Sequence, residues 1–348
     1  MSIGKKPNVK NPFIDPDQLE IGYWAAQEEY DCNKLTRLTM LAEKVGMESV
    51  LTSDHLQPWF DTNGRSGFAW AWIATAAALT QNIAIGTGVT APDRYHPGLI
   101  AQMFATFDEM FPSRGFLGLG AGEAINARPL GIGWPSSIER VERLKESAEI
   151  IRLIWDSGGK RVSYGGQFFR LNKMKLYTMP QNKISIYIAA AGEYTARVAG
   201  KLADGLITTG EPLKEKAKEL YKVATEEVRR KNGSDAKLGW LVEIRISYDK
   251  DYNKALKHAR TWAATAIDQP FSKSWLDPLK YEDEGRKVPD DQIAEKYGVT
   301  TDVEEYAKKL EKLISFGYTK IQIHSSSPDE ESTLKELGKI LPSLKGKP

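Results

Sequence analysis

Eight short β-prone segments alternate with longer helical segments, and this alternation constrains the fold more than any other feature of the sequence. The segments begin at IGYWA (residue 21), SVLTSD (49), IAIGTGV (83), GFLGLGAG (115), ISIYIAA (184), GLITTG (205), WLVEIRISY (240) and KIQIHSS (320). Strands that alternate with helices predict a parallel sheet joined by helical crossovers. Eight such units in series predict an α/β fold, a (β/α)8 TIM barrel with its active site at the C-terminal ends of the strands.

An open, doubly wound sheet is the alternative to the barrel. That fold is favoured when a G-x-G-x-x-G turn follows the first strand, where it binds a dinucleotide. The segment IGYWAAQEEY contains no such turn, and the later GLGAGEA places its glycines at 118, 120 and 122. The spacing therefore favours the barrel.

Two insertions interrupt the repeat. Residues 158–183 predict a hairpin with a Gly165-Gly166 turn after helix 4, and residues 266–300 form a Pro- and charge-containing excursion between strands 7 and 8. Long excursions on a barrel usually shape the mouth of the pocket or a subunit contact. We expect residues 1–20 to be an N-terminal extension that wraps a partner subunit or is mobile, and residues 21–348 to form one catalytic barrel domain.

Composition excludes several classes of protein. The 348 residues carry 48 basic and 46 acidic side chains without a basic stripe, so we expect no nucleic acid partner. Cys32 is the only cysteine, which excludes internal disulfides and Cys-based metal sites and favours a cytoplasmic location. No apolar run has the length of a signal peptide core or of a membrane span, so we also expect no membrane partner.

Polar residues follow several predicted strands at the end where a barrel has its active site. Glu28 follows strand 1, Asp54 and His55 follow strand 2, and Glu123 follows strand 4. Each acid alone is equally well explained as a helix cap. Together with a histidine and a tryptophan, they indicate a site at which distant parts of the sequence converge.

The stretch TSDHLQPW, residues 52–59, holds the candidate base. An imidazole has an unperturbed pKa near neutrality, so a histidine at position 55 is suited to accept a proton from a hydroxyl group. Asp54 points to the opposite side of an extended strand, which favours a cofactor-binding role. Trp59 is suited to stack on a ring or to cover a developing charge. A packing role in the hydrophobic core explains its position equally well.

Glycines in GLGAGEAIN allow the backbone to approach a flat or phosphorylated group closely. A tight turn into a helix, with Glu123 favoured by the helix dipole, explains the motif equally well. Arg94 is a candidate for an anionic cofactor tail, whereas His96 reads as a helix-start residue. His258 reads as a surface residue, and His324 alternates within strand 8 so that it faces the lumen.

Four separate motifs resemble one known group. SDHLQPW, GAGEAIN, RYHPGLIAQMFATFDEMFPSR and YIAAAGEYTARVAGKLADG are similar to the deazaflavin-dependent branch of the bacterial luciferase-like barrels. Within it, the chain most resembles the F420-dependent glucose-6-phosphate dehydrogenase type and then the F420-dependent secondary alcohol dehydrogenases. The similarity runs from about residue 21 to residue 342.

The resemblance implies roles for four residues. Coenzyme F420, an 8-hydroxy-5-deazaflavin, would sit at the barrel mouth and accept a hydride at C5. His55 corresponds to the proposed base, Trp59 to the residue that stabilises the reacting intermediate, and Glu123 to an acid that transfers a proton near the deazaflavin N1 or places the substrate. Glu28 matches a further pocket acid of the family.

The resemblance also implies a cofactor-binding wall. Its positions in this sequence are Asp54, Gly88, Val89, Gly122, Ala190, Ala191 and Gly192. The family carries a non-prolyl cis peptide after strand 3, which would fall at Gly88-Val89. Such a bond is rare outside proline, so its presence is a specific expectation.

For the substrate, the resemblance implies a phosphate site. Sugar-phosphate members use a Thr and a Lys after strand 6, a Lys after strand 7 and a later Arg. Thr209 matches the first position, but Pro212 stands at the second, with Lys214 two residues on. Lys273 lies near the third position, and Lys296 replaces the Arg. Because lysine binds phosphate as a point charge, these residues still imply an anionic substrate, although the bidentate hydrogen bonds of an arginine are lost.

The expected function is hydride transfer from C1 of a sugar phosphate, glucose 6-phosphate or similar, to C5 of F420, with His55 as the proton acceptor. The segments VEIRISYD and AEKYGVTTD favour this over the alcohol dehydrogenase alternative, which SSSPD favours. A flavin mononucleotide-dependent monooxygenase and a non-catalytic binding barrel are further alternatives. By analogy with relatives we expect a homodimer acting on a small molecule.

Overall fold

All eight segments predicted as strands form strands in the computed structural model, which describes residues 11–208 and 212–345. In chain order the strands are β1 (Glu20–Ala25), β2 (Ser49–Thr52), β3 (Ala84–Thr87), β4 (Gly115–Leu119), β5 (Val162–Gly165), β6 (Arg170–Met174), β7 (Ser185–Ala190), β8 (Gly205–Thr208), β9 (Gly239–Tyr248), β10 (Val299–Thr300) and β11 (Lys320–Ser325). Strands β5, β6 and β10 belong to the two insertions.

Helices separate the barrel strands, as the alternation predicts. They are α1 (Cys32–Lys44), α2 (Ala69–Leu79), α3 (Pro97–Met110), α4 (Ala124–Ala127), α5 (Ser137–Trp155), α6 (Glu193–Leu202), α7 (Glu215–Asn232), α8 (Tyr252–Ala259), α9 (Pro278–Gly285), α10 (Asp290–Lys296), α11 (Val303–Phe316) and α12 (Glu330–Lys345). Three 3-10 helices, Arg128–Leu130, Arg260–Thr265 and Pro270–Ser272, complete the set in the described ranges.

The eight remaining strands close into a parallel barrel. Neighbours run β1-β2-β3-β4-β7-β8-β9-β11, and β11 pairs back onto β1 with Glu20 opposite Lys320. The strands between them are likewise parallel, as where β8 meets β9 with Gly205 opposite Gly239. The predicted TIM barrel is therefore confirmed, and the open sheet is wrong.

Both insertions lie where the sequence predicts them. Strands β5 and β6 form an antiparallel hairpin after α5, with Glu146 of α5 accepting hydrogen bonds from the backbone N–H groups of residues 167–169. The excursion between β9 and β11 contains α9 and α10 and packs over the barrel mouth near Trp59. The second insertion thereby contributes to the candidate site.

The N-terminal segment, in its described part, closes the bottom of the barrel. Phe13 stacks on Phe116 with ring centroids 3.6 Å apart and meets the edge of Tyr187. Lys320 of β11 donates from its buried ammonium group to the backbone carbonyl oxygens of Asp15 and Gln18. Residues 11–19 therefore pack against the barrel, in contrast to the expected wrapping of a partner or mobility.

Along each strand, side chains point alternately into the barrel lumen and toward the surrounding helices. Lumen-facing apolar residues form one cluster: Phe13, Leu51, Ala84, Phe116, Tyr187, Ile207 and Leu241. Their sequence neighbours face the helices instead, because successive side chains of a strand point to opposite faces. This filled lower lumen leaves the polar positions at the C-terminal ends of the strands as the place for a site. In the two described ranges, no helix is both long and apolar enough to cross a membrane.

Candidate active site

His55 and Glu28 meet at the C-terminal ends of β1 and β2. The His55 Nδ1 atom lies 3.7 Å from Glu28 Oε1, and the Ser53 hydroxyl group donates to Glu28 Oε2 at 2.6 Å. Both partners are nearly buried. Residues that lie 27 positions apart in the sequence therefore form one unit, as the barrel topology predicts.

A backbone carbonyl fixes the tautomer of His55. Its Nδ1 atom also lies 3.1 Å from the carbonyl oxygen of Gln57, and a carbonyl oxygen can only accept a hydrogen bond. Nδ1 therefore carries the proton in the neutral ring, which leaves Nε2 with the lone pair. This is the tautomer that a proton-accepting histidine requires.

Trp59 packs beside His55 and is itself buried. The two ring centroids are 5.5 Å apart, and the indole meets Phe271 and Tyr281 edge to face. Phe271 and Tyr281 come from the second insertion. Trp59 thus serves as a packing anchor for that insertion and also contacts the candidate base.

Asn126 joins the two loops that carry His55 and Glu123, and sequence reasoning missed it. Its side-chain oxygen accepts from the backbone N–H of Leu56 at 2.8 Å and of Gln57 at 3.3 Å, while its Nδ2 donates to Glu123 Oε2 at 3.3 Å. The side chain is buried. The residue lies in the motif GAGEAIN. The two backbone N–H groups that it binds lie about 70 positions away, and nothing in the sequence identifies them.

The Asp54 carboxylate is surrounded by protein donors. The groups that bind it are Trp70 Nε1 at 3.2 Å, the Thr90 hydroxyl at 2.9 Å, the Tyr95 hydroxyl at 3.2 Å and Arg94 at 2.9 Å. Asp54 therefore fastens the loop after β3 to the loop after β2. Arg94 is nearly buried and bound to Asp54, and its expected contact with a cofactor tail stays a prediction.

The peptide bond between Gly88 and Val89 is cis, as the resemblance implies. Val89 covers the end of β4, since a Cβ built on Gly120 would lie 2.2 Å from a Val89 methyl group. Gly120, which directly follows β4, therefore makes room for Val89 because it has no side chain. The first close approach at these glycines is therefore a contact between two parts of the protein.

Gly122 makes a second close approach, to Asp93. It adopts φ +80°, and a Cβ there would lie 2.8 Å from Asp93 Oδ2. Both Asp93 carboxylate oxygens are buried and lack a hydrogen-bond partner among the described residues. Burial and the neighbouring Glu123 raise the pKa of Asp93 to about 6, against the opposing charge of Arg94.

The predicted residues at the end of β7 divide into two kinds. Ala190 is buried in the outer core, whereas Ala189 packs with the lumen cluster. Only the main chain of Ala190 is therefore available to a ligand. Ala191 and Gly192 are exposed, and Gly192 caps α6 without a side-chain hydrogen bond.

The predicted phosphate residues lie around the second insertion, apart from Thr209, which falls outside the described residues. Lys273 is partly buried, with its amino group 5.6 Å from the centroid of the Trp275 ring. Lys296 is exposed overall and donates to the carbonyl oxygen of Thr265 at 2.6 Å. The structure thus brings neither lysine into direct contact with His55.

The other histidines have distinct surroundings. His96 caps α3 by accepting from the Gly98 N–H, as expected for a helix-start residue. His258, expected at the surface, keeps 29% of its side chain exposed, and its Nδ1 lies 2.9 Å from the Ser326 carbonyl oxygen. His324 faces the lumen, as expected, with Nδ1 2.8 Å from Glu243 Oε1. Across residues 11–208 and 212–345, no group of three metal-ligating side chains is found.

Comparisons with known proteins agree with this geometry. A family model described as luciferase-like monooxygenase matches residues 18–320. The F420-dependent glucose-6-phosphate dehydrogenase of Microbacterium testaceum is 36% identical over 330 residues, which cover 94% of this chain and 98% of that protein. The protein of the same name from Nakamurella multipartita is 36% identical over 339 residues, covering 95% and 98%.

A solved structure is similar over nearly the same length. The F420-dependent secondary alcohol dehydrogenase in complex with an F420-acetone adduct superposes with a TM-score of 0.89 at 33% identity. The match covers 94% of this chain and 99% of that chain. Sequence and structure comparisons therefore both extend through the barrel and its insertions.

Proposed function

The chain belongs to the luciferase-like monooxygenase family, and we infer that within it the protein is an F420-dependent dehydrogenase that oxidises C1 of a sugar phosphate, glucose 6-phosphate or a close analogue. The observation that carries this proposal is the fixed tautomer of His55 beside Glu28 at the barrel mouth. The protein is an oxidoreductase, and coenzyme F420 is its cofactor.

The residues at the ends of β3, β4 and β7 fit the cofactor. Gly88, Val89, Gly122, Ala191 and Gly192 present small side chains or none, which suits the face of a planar ring. The N-terminus of α6 begins at Gly192 without a side-chain cap, so its N–H groups are available to a phosphate. When bound, the deazaflavin supplies a hydride acceptor at C5.

His55 takes the hydroxyl proton as the C–H bond at C1 breaks. With Nδ1 donating to Gln57, Nε2 accepts the proton and the ring becomes an imidazolium. Glu28 then lies close enough to stabilise that positive charge. Removal of the proton prevents negative charge from building up on the C1 oxygen during oxidation.

Glu123 and Trp59 complete the proposed catalytic group. Asn126 holds the Glu123 carboxyl group and the loop of His55 at a fixed separation. Glu123 would thereby be positioned to transfer a proton near N1 of a bound deazaflavin or to place the substrate. Trp59 limits the access of water to His55, because it packs beside that ring beneath the second insertion.

The substrate assignment rests on similarity and on two lysines. Relatives that are 36% identical are named for glucose 6-phosphate, and Lys273 and Lys296 supply positive charge in the second insertion. We propose that these lysines and Thr209 hold the phosphate. A secondary alcohol is the second candidate, because the similar structure at TM-score 0.89 is named for that activity.

A paired spectrophotometric assay tests the proposal. Purified protein is mixed with F420, and cofactor bleaching is followed with glucose 6-phosphate in one cuvette and isopropanol in the other. Bleaching only with the sugar phosphate supports the proposed substrate, whereas bleaching only with isopropanol replaces it by the alcohol. Bleaching with neither, when F420 demonstrably binds, rejects both substrates and leaves the cofactor assignment standing.

We further propose a homodimer built on the outer faces of α2 and α3. Helix α2 contains no charged residue, and Phe68 and Leu79 on its outward side are more than half exposed. Leu99 and Met110 of α3 are exposed to a similar degree. Large apolar side chains exposed on two helices in this way are typical of a subunit interface. A cytoplasmic location is proposed because reducing conditions keep the exposed thiol of Cys32 free.

A further inference from the structure

The lumen holds a second polar group that the proposed chemistry does not use. Leu241 of β9 belongs to the lumen cluster, so Glu243 and Arg245, two and four residues later, face the lumen as well. His324 of β11 lies in register with Arg245. We refer to Glu243, Arg245 and His324 as the Glu243 subsite.

Two donors bind the same oxygen of Glu243. Arg245 Nε lies 3.0 Å and His324 Nδ1 lies 2.8 Å from Oε1. Among the described residues, the other oxygen, Oε2, receives no hydrogen bond, and a quarter of the side-chain surface is exposed. The arrangement therefore clamps the carboxylate by one oxygen and leaves the other available to a ligand.

The carboxylate is held in its ionised form. Burial raises the pKa of Glu243, but Arg245 and then His324 outweigh this effect and lower the pKa to about 2. Arg245 is fixed in turn, since its guanidinium group donates to the Thr265 hydroxyl at 2.6 Å. An ionised carboxylate accepts stronger hydrogen bonds from hydroxyl groups than a neutral acceptor does.

Aromatic rings border the Glu243 subsite. His324 is parallel to Trp24 at 6.0 Å and meets the edge of Trp262 at 4.4 Å. The Trp24 ring extends toward the cofactor wall, because a Cβ on Gly88 would lie 3.2 Å from it. His324 Nε2 is buried without a partner in the described residues, which is the usual sign of a polar group that awaits water or a ligand.

We propose that the Glu243 subsite binds hydroxyl groups of the substrate at carbons other than C1 and thereby selects polyhydroxylated substrates over simple alcohols. The inference rests on the proposed function. Glu243 Oε2 accepts from the sugar hydroxyls, and the partly exposed Trp24 lies against a C–H face of the sugar. A simple alcohol leaves Glu243 Oε2 desolvated without a hydrogen-bond donor, which is the kind of mismatch that polar sites reject most strongly.

Deoxy analogues test the proposal. The kcat/KM is measured with glucose 6-phosphate and with its 2-, 3- and 4-deoxy derivatives, for the native protein and Glu243→Gln. We expect the substitution to lower kcat/KM for glucose 6-phosphate about 10- to 100-fold. For at least one deoxy analogue, whose lost hydroxyl is the partner of Glu243, the substitution should have little further effect.

The same fold-loss with all four sugar phosphates would show that Glu243 only maintains the structure, and no loss with any of them would equally overturn the proposal. Glu331→Gln, an exposed acid of α12, is the matched control. Melting temperature and F420 binding are measured for each variant. Glu243→Asp keeps the charge, and an intermediate loss with it would support the proposal if Glu243→Gln folds poorly.

A binding measurement separates this proposal from the proposed function. Quenching of intrinsic tryptophan fluorescence is titrated with glucose 6-phosphate in the absence of F420. Binding that weakens at least 10-fold in Glu243→Gln supports the subsite even if the native protein fails to reduce F420 with any sugar phosphate. Equal binding by both proteins, or no binding by either, rejects the subsite.

Discussion

The Nδ1 atom of His55 lies 3.1 Å from the carbonyl oxygen of Gln57, two residues further along the same loop. The backbone of the loop therefore decides which nitrogen of the ring accepts a proton. A histidine in a flexible segment would divide its population between two tautomers. Here the loop is held in turn by Asn126 and by Ser66, whose hydroxyl group donates to the His55 carbonyl oxygen at 2.7 Å.

Replacement of His55 by alanine is expected to lower kcat about 10²- to 10⁴-fold, the usual contribution of a general base. F420 binding should persist, because the proposed cofactor wall lies on β3, β4 and β7. Stopped-flow bleaching and fluorescence titration of F420 measure the two quantities. His96→Asn, which retains a helix cap outside the site, is the control. Unchanged turnover in His55→Ala would remove His55 from the mechanism.

Replacement of Asn126 by aspartate is expected to lower kcat/KM about 10- to 100-fold near neutral pH, because it displaces the catalytic groups. The new carboxylate still accepts from Leu56 and Gln57 but faces Glu123 with a like charge. Activity should recover as the pH falls, when one of the two carboxyl groups is protonated. A pH profile of kcat/KM checks this result, with the exposed Asn172→Asp as the control. A constant loss at every pH would indicate a purely structural role.

Stability is expected to fall between about pH 4 and about pH 6 because of Asp93. Its pKa in the folded protein is about 6, raised from 3.8 by burial and then by Glu123. In this interval the folded protein keeps a proton that the unfolded chain has released, so rising pH favours unfolding. Asp93→Asn should therefore be more stable than the native protein by about 1 to 3 kcal/mol above pH 7, and the difference should vanish near pH 4. Urea unfolding at several pH values measures the difference, and a pH-independent difference would contradict the role of Asp93.

Lys273→Ala is expected to raise KM for glucose 6-phosphate about 10-fold with little change in kcat, since a phosphate contact is made equally in the ground state and the transition state. The affinity for F420 should stay constant. Steady-state kinetics at several ionic strengths provide the measurement. Lys257→Ala, at an exposed position of α8 outside the second insertion, provides the comparison. An unchanged KM would exclude Lys273 from the phosphate site.

Ala78→Glu is expected to dissociate the proposed homodimer. Ala78 is exposed on the uncharged helix α2, and a carboxylate there would be buried against its own symmetry copy. Sedimentation at micromolar concentration should show a dimer for the native protein and a monomer for the variant. Asn253→Glu, at an exposed position of α8, should leave the assembly intact. A native protein that sediments as a monomer would reject the interface.

Much of the fold follows from the sequence because one regular pattern specifies it. The alternation of strands and helices locates every barrel strand, and the barrel places Glu28 and His55 at the same rim before any distance is known. The orientation of Ala190 was not predictable in this way. It depends on which face of β7 the closed barrel turns inward, and a run of small apolar residues is compatible with either face.

The remaining features depend on contacts between distant residues. Asn126, Asp54 and Glu243 each bind partners on another strand or loop, between 16 and 81 positions away in the sequence. No spacing rule connects such residues. Gly120 and Gly122, which follow β4, were expected to approach a flat or phosphorylated group, and their sequence does not reveal that Val89 and Asp93 lie against them.

The hydrogen bonds from Lys320 to the carbonyl oxygens of Asp15 and Gln18 link the last strand to the start of the described chain. During synthesis, residues 11–19 leave the ribosome some 300 residues before their partner does. The early strands are therefore synthesised before Lys320 can bind residues 11–19 at the bottom of the barrel. The barrel is completed only when β11 inserts between β9 and β1, so we expect residues 11–19 and β11 to become ordered together late in folding.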